Sequence, residues 1–478
     1  MTITAPVVVI GILIALLYIP SIQRSVVDKA CREIAAQSGY DIAIGSITLA
    51  FPLKLQATDF TMSKNDSVYF RGNSLDANIS LTPLLTGKVE VNYVALEELV
   101  MNTYSMLPEM SVEGKVGFAR VVTRYADLAN AIADIRQLHI ADSDIRITMA
   151  DTTIVDDSEP LEWIIKLNRG RIKNSRITFS IPHDTLSATA YIGSLRMDKG
   201  SFDIAKTDFA LKAIALGGTR IEYDKGNRNA TDAPLDHIRI EDIAIRARDM
   251  RYAGINDISA DITGLTLHQP SGITITDAAV RCTSSNDTLR LHSLRMESRN
   301  GSRIYGEAAI PHKAIENPKD EKMTGRLLAT VSKPDLAGFI TPQLYGELHW
   351  FDERMLDASL AFSGNIAKLA IDALALDFPG LGAMNADGYI KNILEFEKCE
   401  SRIAFNAGLN DIKRFTGAAN DSIDGQTTAG GHISYNSGEI AADVALHNAS
   451  GEIAASGSYS MADTAYTAKV DISRLALA

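Results

Sequence analysis

The 478-residue sequence is poor in the groups that most enzymatic chemistry requires. It has three cysteines, Cys31, Cys282 and Cys399, odd in number, far apart and without a CxxC motif. That excludes a disulfide framework and reads as buried or half-buried thiols. The nine histidines are scattered, and the closest two, His432 and His447, are too distant to form a helical metal pair. No P-loop, GxSxG elbow, HExxH, EF-hand loop or dinucleotide fingerprint occurs. Asp142 and Asp144, two apart on a strand-like run, read as a solvated turn rather than an acid/base pair. Asp421 and Asp424-Gly425 lack the bidentate glutamate of a calcium loop. The sequence therefore points away from an enzyme, and neither a cofactor nor a metal is expected. Lysine and arginine (47) are outnumbered by aspartate and glutamate (59), giving a net charge of −12 and arguing against nucleic acid as the main partner. At 46% hydrophobic and 22% charged residues, the chain is not disordered.

What is present begins with an apolar run. Residues 3–19 carry no charge, and with their flanks they span a hydrocarbon core of about 30 Å as a helix. Val7, Val8, Val9, Ile10, Ile12, Leu13, Ile14, Leu16 and Leu17 form this anchor, and Pro20 ends it. A cleaved signal peptide would want a basic start and a small-x-small cleavage site, and a soluble core helix is the third option. No basic residue precedes Arg24, and Ile19-Pro20-Ser21 is a poor cleavage site. Arg24, Lys29 and Arg32 follow the run, so the positive-inside rule taken literally leaves the body in the cytoplasm; charge alone does not settle the side. Residues 21–38 repeat Ile22, Val26, Ala30 and Ile34 at i+4 spacing before Gly39, an amphipathic helix.

After Gly39 the period changes to two. Ile145, Ile147 and Met149 alternate with Arg146 and Thr148; Ile177, Phe179 and Ile181 alternate with Thr178 and Ser180. Such runs are strands with one apolar and one polar face. Ile238 and Ile240 slip phase before Ile243 and Ile245, as do Leu289 and Leu291 before Leu294 and Met296, which predicts β-bulges. Asn65-Asp66-Ser67, His183-Asp184-Thr185 and Asn286-Asp287-Thr288 place turn chemistry before strands. Asp335-Leu336-Ala337-Gly338-Phe339 and Asp411-Ile412-Lys413-Arg414-Phe415 each follow a strand and predict a helical turn against the sheet. Phe118, Val121, Val122, Tyr125, Leu128, Ala129, Ile132 and Ile135 recur at three- and four-residue spacing, predicting a helical insertion over residues 105–137. Residues 225–232 and 316–322 read as loops. The last residues, 470–478, still read as strand, which predicts that the sheet continues past them or pairs with another chain.

Several segments in order resemble a known family: Leu16-Leu17-Tyr18-Ile19-Pro20-Ser21-Ile22-Gln23, then Ile42-Ala43-Ile44-Gly45-Ser46-Ile47, Leu75-Asp76-Ala77-Asn78-Ile79-Ser80 and Leu84-Leu85-Thr86-Gly87-Lys88-Val89-Glu90-Val91. Together with residues 287–301 and the two Asp-x-x-x-Phe turns, they resemble the N-terminal portion of TamB proteins of the Bacteroidota type, within the AsmA-like superfamily. The resemblance implies an inner-membrane, single-pass anchor and a periplasmic body. It implies a mainly β fold, an elongated, curved antiparallel β-groove lined with hydrophobic residues. It further implies phospholipid movement towards the outer membrane and an outer-membrane Omp85-type barrel as partner. Family members carry basic residues before the anchor and run longer, so the natural start is expected upstream and a C-terminal portion downstream.

The expected organisation is an anchor at 1–20, an amphipathic helix at 21–39, an AsmA-like β region at 40–104, the helical insertion at 105–137 and a repetitive groove at 138–478. One insertion helix cannot cover several hundred residues of half-apolar sheet. The apolar faces must then pack on each other or line a shared trough. Ile145, Ile147, Ile177, Phe179, Ile181, Leu289 and Leu291 are the nominated lining, with ordinary sheet core as the alternative. Phospholipid acyl chains are the expected cargo. A scaffold for outer-membrane protein assembly and an anchored structural β-solenoid are the other readings.

Overall fold

The computed structural model describes residues 39–50, 54–80, 91–103, 110–127, 131–149, 163–183, 185–226, 237–270, 272–285, 287–319, 321–337, 345–346, 348–351, 355–393, 398–410, 426–449, 451–461 and 463–473. The expected anchor and amphipathic helix lie outside the described residues. Among the described residues no helix is long and apolar enough to cross a membrane. The fold is mainly β, and the chain divides into two compact units, Met1–Ala253 and Gly254–Ala478.

The first unit holds β1 (Asp41–Ala50), β2 (Lys54–Lys64), β3 (Ser67–Ile79), β4 (Val91–Asn102), β5 (Met110–Asp127), β6 (Ile132–Ala141), β7 (Asp144–Met149), β8 (Ile164–Ile181), β9 (Leu186–Asp203), β10 (Asp208–Lys225) and β11 (His237–Ala253). Successive strands pair antiparallel from β1 to β6 and again from β8 to β11. β6 and β7 lie end to end along β5, antiparallel to it, and both run parallel to β8. Between β2 and β3, Asn65 (φ 49°) and Asp66 (φ 63°) are both left-handed. A tight hairpin whose turn matches the strand twist requires this, and Asn and Asp tolerate it best after glycine.

The helical insertion expected over 105–137 is not there. Its described residues are β5 and β6. The helical spacing arose because β5 changes register against β6 near Val122 and Thr123, mixing residues of both faces into one apparent stripe. Val121, Val122 and Thr123 are also β-branched, a composition that favours strand over helix.

The second unit holds β12 (Ile258–His268), β13 (Thr274–Ser285), β14 (Thr288–Ser298), β15 (Arg303–Pro311), α1 (His312–Glu316), β16 (Met323–Ser332), α2 (Lys333–Leu336), a 3-10 turn (Leu348–Phe351), β17 (Met355–Gly364), β18 (Lys368–Phe378), β19 (Gly382–Lys391), β20 (Glu400–Leu409), β21 (Thr427–Asn436), β22 (Glu439–Asn448), β23 (Gly451–Ser460) and β24 (Tyr466–Ser473). From β12 to β24 each strand pairs antiparallel with the next. The expected helical turn at Asp335 is α2; the one at Asp411 lies outside the described residues.

Little of either unit is sealed. The buried hydrophobic residues are mostly alanines, such as Ala57, Ala77, Ala247, Ala278, Ala386 and Ala429. Among described residues the only side chains below 2% exposure are Leu381 and Thr427. A second packed layer would bury the large side chains as well.

Candidate functional site: the apolar faces

Residues directly opposite one another across a ladder point to the same face. Following the register across the first unit gives an unbroken apolar row: Ile47, Ala57, Leu75, Leu96, Ala119, Ile140, Ile172, Leu195, Leu216, Ile245. The row on the other side of a line of bulges is equally continuous: Ile42, Met62, Phe70, Met101, Gly114, Ile145, Ile177, Ala190, Ile221, Ile240. Neither row contains a polar side chain.

The two rows lie five residues apart in each strand, an odd number that would put them on opposite faces of a regular strand. One extra residue per strand restores the phase. On β2, β4, β8, β10 and β11, and between β6 and β7, it shows as a left-handed residue: Asp59 (φ 55°), Glu98 (φ 53°), Asn174 (φ 46°), Gly218 (φ 58°), Asp242 (φ 51°) and Asp142 (φ 53°). Short polar residues and glycine enter that region at least cost. Glycine faces several of them. At Gly45 and Gly117 an added Cβ would come within 3.0 Å of the Asp59 Cβ and 2.4 Å of the Asp142 carbonyl oxygen. Asp142 and Asp144 are thus part of the bulge and its flank. Asp142 accepts a hydrogen bond from Asn174 Nδ2 (3.2 Å), and Asp144 faces Arg176 at 3.6 Å.

The second unit repeats the pattern. Leu294, Gly306, Leu327, Leu360, Leu374, Ala386, Phe405, Gly431, Val444, Ala455 and Val470 form one row. A second begins Cys282, Leu291, Ala308, Gly325, Phe362, Ile371 and runs to Ala468 without a polar side chain. In β14 a register shift between Leu291 and Leu294, with Ser293 left-handed (φ 55°), keeps both leucines on the apolar face.

The nominated lining residues fall on these faces. Ile145 is opposite Ile177 and Ile147 opposite Phe179, while Ile181 is opposite Leu186. Leu291 is opposite Cys282 and Ala308, and Leu289 opposite Ile310. All seven are half-buried. Fully burying such a side chain is worth about 1.5–3 kcal/mol, so at most about a third of that is still available to an apolar partner. Sequence alternation found individual strands. It missed that the register links them into rows, because register is set between strands remote in sequence.

The opposite face of the first unit is polar: Thr48, Gln56, Asp76, Ala95, Arg120, His139, Arg171, Arg196, Ala215, Arg246 form the row next to the first apolar one. Ion pairs cross this face, for example Arg146 to Glu113 (3.2 Å) and Arg251 to Asp208 (3.3 Å). Between exposed groups they contribute little to stability.

One polar cluster is buried. Asp335 of α2 is 4% exposed, and its carboxylate accepts hydrogen bonds from Asn300 Nδ2 (2.7 Å), Ser302 Oγ (2.6 Å), Ser332 Oγ (2.9 Å) and Ser298 Oγ. Burial alone would raise its pKa; the four donors outweigh it and hold the carboxyl below the usual range. The cluster ties α2 to the β14–β15 turn. All four partners are donors satisfied within the protein, so the arrangement is structural. Among the described residues no three His, Cys, Asp or Glu side chains converge as a metal site.

No family model and no curated protein matches this sequence.

Proposed function

We propose that the chain is a membrane-anchored conduit that carries phospholipid acyl chains along the apolar faces of its sheets towards the outer membrane. The observation that supports this reading is the continuity of the apolar rows combined with their half-exposed side chains. Each acyl CH₂ shielded is worth about 0.8 kcal/mol, which would trap a lipid at one deep pocket. Along an unbroken row, burial is kept as the chain slides, so no single step has to release it. Movement then needs a continuous lining rather than a catalytic residue. In this reading the apolar face of each unit lines an elongated groove. The inner membrane and an Omp85-type barrel are its partners, as the family resemblance implies. Full-length protein purified from its membrane should carry phospholipid, detected by mass spectrometry. A photoreactive side chain at Phe179 or Leu291 should crosslink to it, and one at the exposed Arg146 or Arg290 should not. Protein free of lipid, with no crosslink at the apolar positions, would overturn the proposal.

One observation favours a second reading, a scaffold for outer-membrane proteins. β24 pairs on one side with β23, and every residue of it is exposed, including Tyr466 (80%), Val470 (58%) and Ile472 (56%). An apolar edge of this kind is a template for another strand. Crosslinks from Val470 to a barrel protein, without lipid crosslinks at Phe179, would favour it.

A further inference from the structure

β8 is the cationic strand of an acidic protein. It carries Lys166, Arg169, Arg171, Lys173 and Arg176 and no carboxylate. On the polar face its residues meet further basic side chains in register. Arg171 is directly opposite Arg196 on β9 and His139 on β6, and His139 is opposite Arg120 on β5. Like charges directly opposite are destabilising. The carboxylates around this band are taken up by other cations: Asp198 is held by Arg196 (2.8 Å) and Arg169 (3.9 Å), Asp134 lies opposite Lys166 and faces Arg124 (3.9 Å), and Asp144 faces Arg176 (3.6 Å). Arg171 and Lys173 are exposed, and among the described residues neither side chain has a hydrogen-bond or ion-pair partner.

The cations are laid out across neighbouring strands about 4.8 Å apart. An extended surface carrying many anionic groups can meet several of them at once. Aromatic rings lie among them: Arg120 stands over the Tyr93 ring at 5.4 Å, and Phe118 packs edge-on to His139 at 5.3 Å. Mixed cationic and aromatic side chains suit the headgroup zone of a bilayer.

We infer that this face of the first unit docks on a membrane surface of anionic phospholipid headgroups, with Arg171 and Lys173 as its central contacts. Docking through the polar face holds whether or not the apolar face carries lipid. Each cation near such a surface contributes about fivefold to binding and loses it within a Debye length as salt rises.

The test uses the full chain reconstituted in vesicles and an impermeant amine-acylating reagent, with each lysine read by mass spectrometry. On vesicles containing phosphatidylglycerol, Lys173 should be acylated several-fold more slowly than on pure phosphatidylcholine, and Lys469 equally on both. High salt should abolish the difference, and Arg171→Glu should reduce it without changing the labelling of Lys469. Equal labelling of Lys173 on neutral and anionic vesicles would overturn the inference. So would protection of Lys173 by an oligonucleotide but not by vesicles. Residues 150–162 bring Asp151, Asp156, Asp157, Glu159 and Glu162 with no lysine or arginine. Protection that appears only when these are changed to Asn and Gln would equally overturn it. Lipid copurification is unaffected by any of these results, so failure here is distinct from failure of the conduit.

Discussion

Ile147 and Phe179 stand directly opposite one another in a parallel ladder, while their neighbours Arg146 and Thr178, also opposite, point to the other face. That single relationship contains the plan of the first unit, one apolar face and one polar face. It rests on β7 and β8 being parallel, an arrangement confined, among the described pairings, to β8 and its neighbours β6 and β7.

Phe179→Asp places a charge in the middle of the apolar face. Because Phe179 is partly exposed, the carboxylate keeps water within reach and the cost to stability should be modest, about 1–2 kcal/mol. Copurified phospholipid should fall several-fold while the far-ultraviolet dichroism keeps its strand signature. Undiminished lipid would remove Phe179 from the path. Arg290→Asp, at an exposed polar position, is the comparison and should leave lipid unchanged.

Gly117→Ala should destabilise the first unit by about 1–3 kcal/mol, since its Cβ would sit 2.4 Å from the Asp142 carbonyl oxygen. The bulge at that level keeps Ile140 and Ile145 on one face, so a shift of the backbone there also disturbs the row. Chemical denaturation measures the loss. An unchanged midpoint would show that the bulge accommodates a methyl group.

Asp335→Asn leaves the Ser298, Ser302 and Ser332 hydroxyls and the Asn300 amide competing for one carbonyl oxygen. The loss should be about 2–4 kcal/mol at neutral pH. The folded pKa of Asp335 is depressed, so its contribution is complete above the unfolded carboxyl value of about 3.9 and is lost as pH falls through the folded value. The gap in stability between the two proteins should therefore close at acid pH. A gap that persists to pH 2 would mean that the carboxylate's charge is not what holds the cluster.

Val470→Lys on β24 should suppress any self-association of the purified protein, because a charge on an exposed edge opposes strand addition. Sedimentation velocity reads the outcome. If association is unaffected, the β24 edge is not where copies meet.

Much of this was legible in the chain. Alternation marked Ile145 to Met149 and Ile177 to Ile181 as strands, and the phase slips at Ile240–Ile243 and Leu291–Leu294 are bulges, because side-chain direction along a strand follows from local backbone geometry alone. The Asn65-Asp66 hairpin was readable for the same reason. The stripe from Phe118 to Ile135 was misread, since three- and four-residue spacing also results when strands change register and both faces carry apolar residues.

That the body is mainly β, two-faced and bulged follows from the order of its residues, because those properties depend on a residue and its near neighbours. Which strands stand side by side is a property of the folded sheet. That sheet set Ile140 beside Ile172 in a parallel pair, linked Ile47 to Ile245 through eight intervening strands, and brought Arg171 opposite Arg196. Register is a contest among pairings of segments remote in the chain, settled by the summed burial and hydrogen bonding of the whole ladder, and no local pattern records its result.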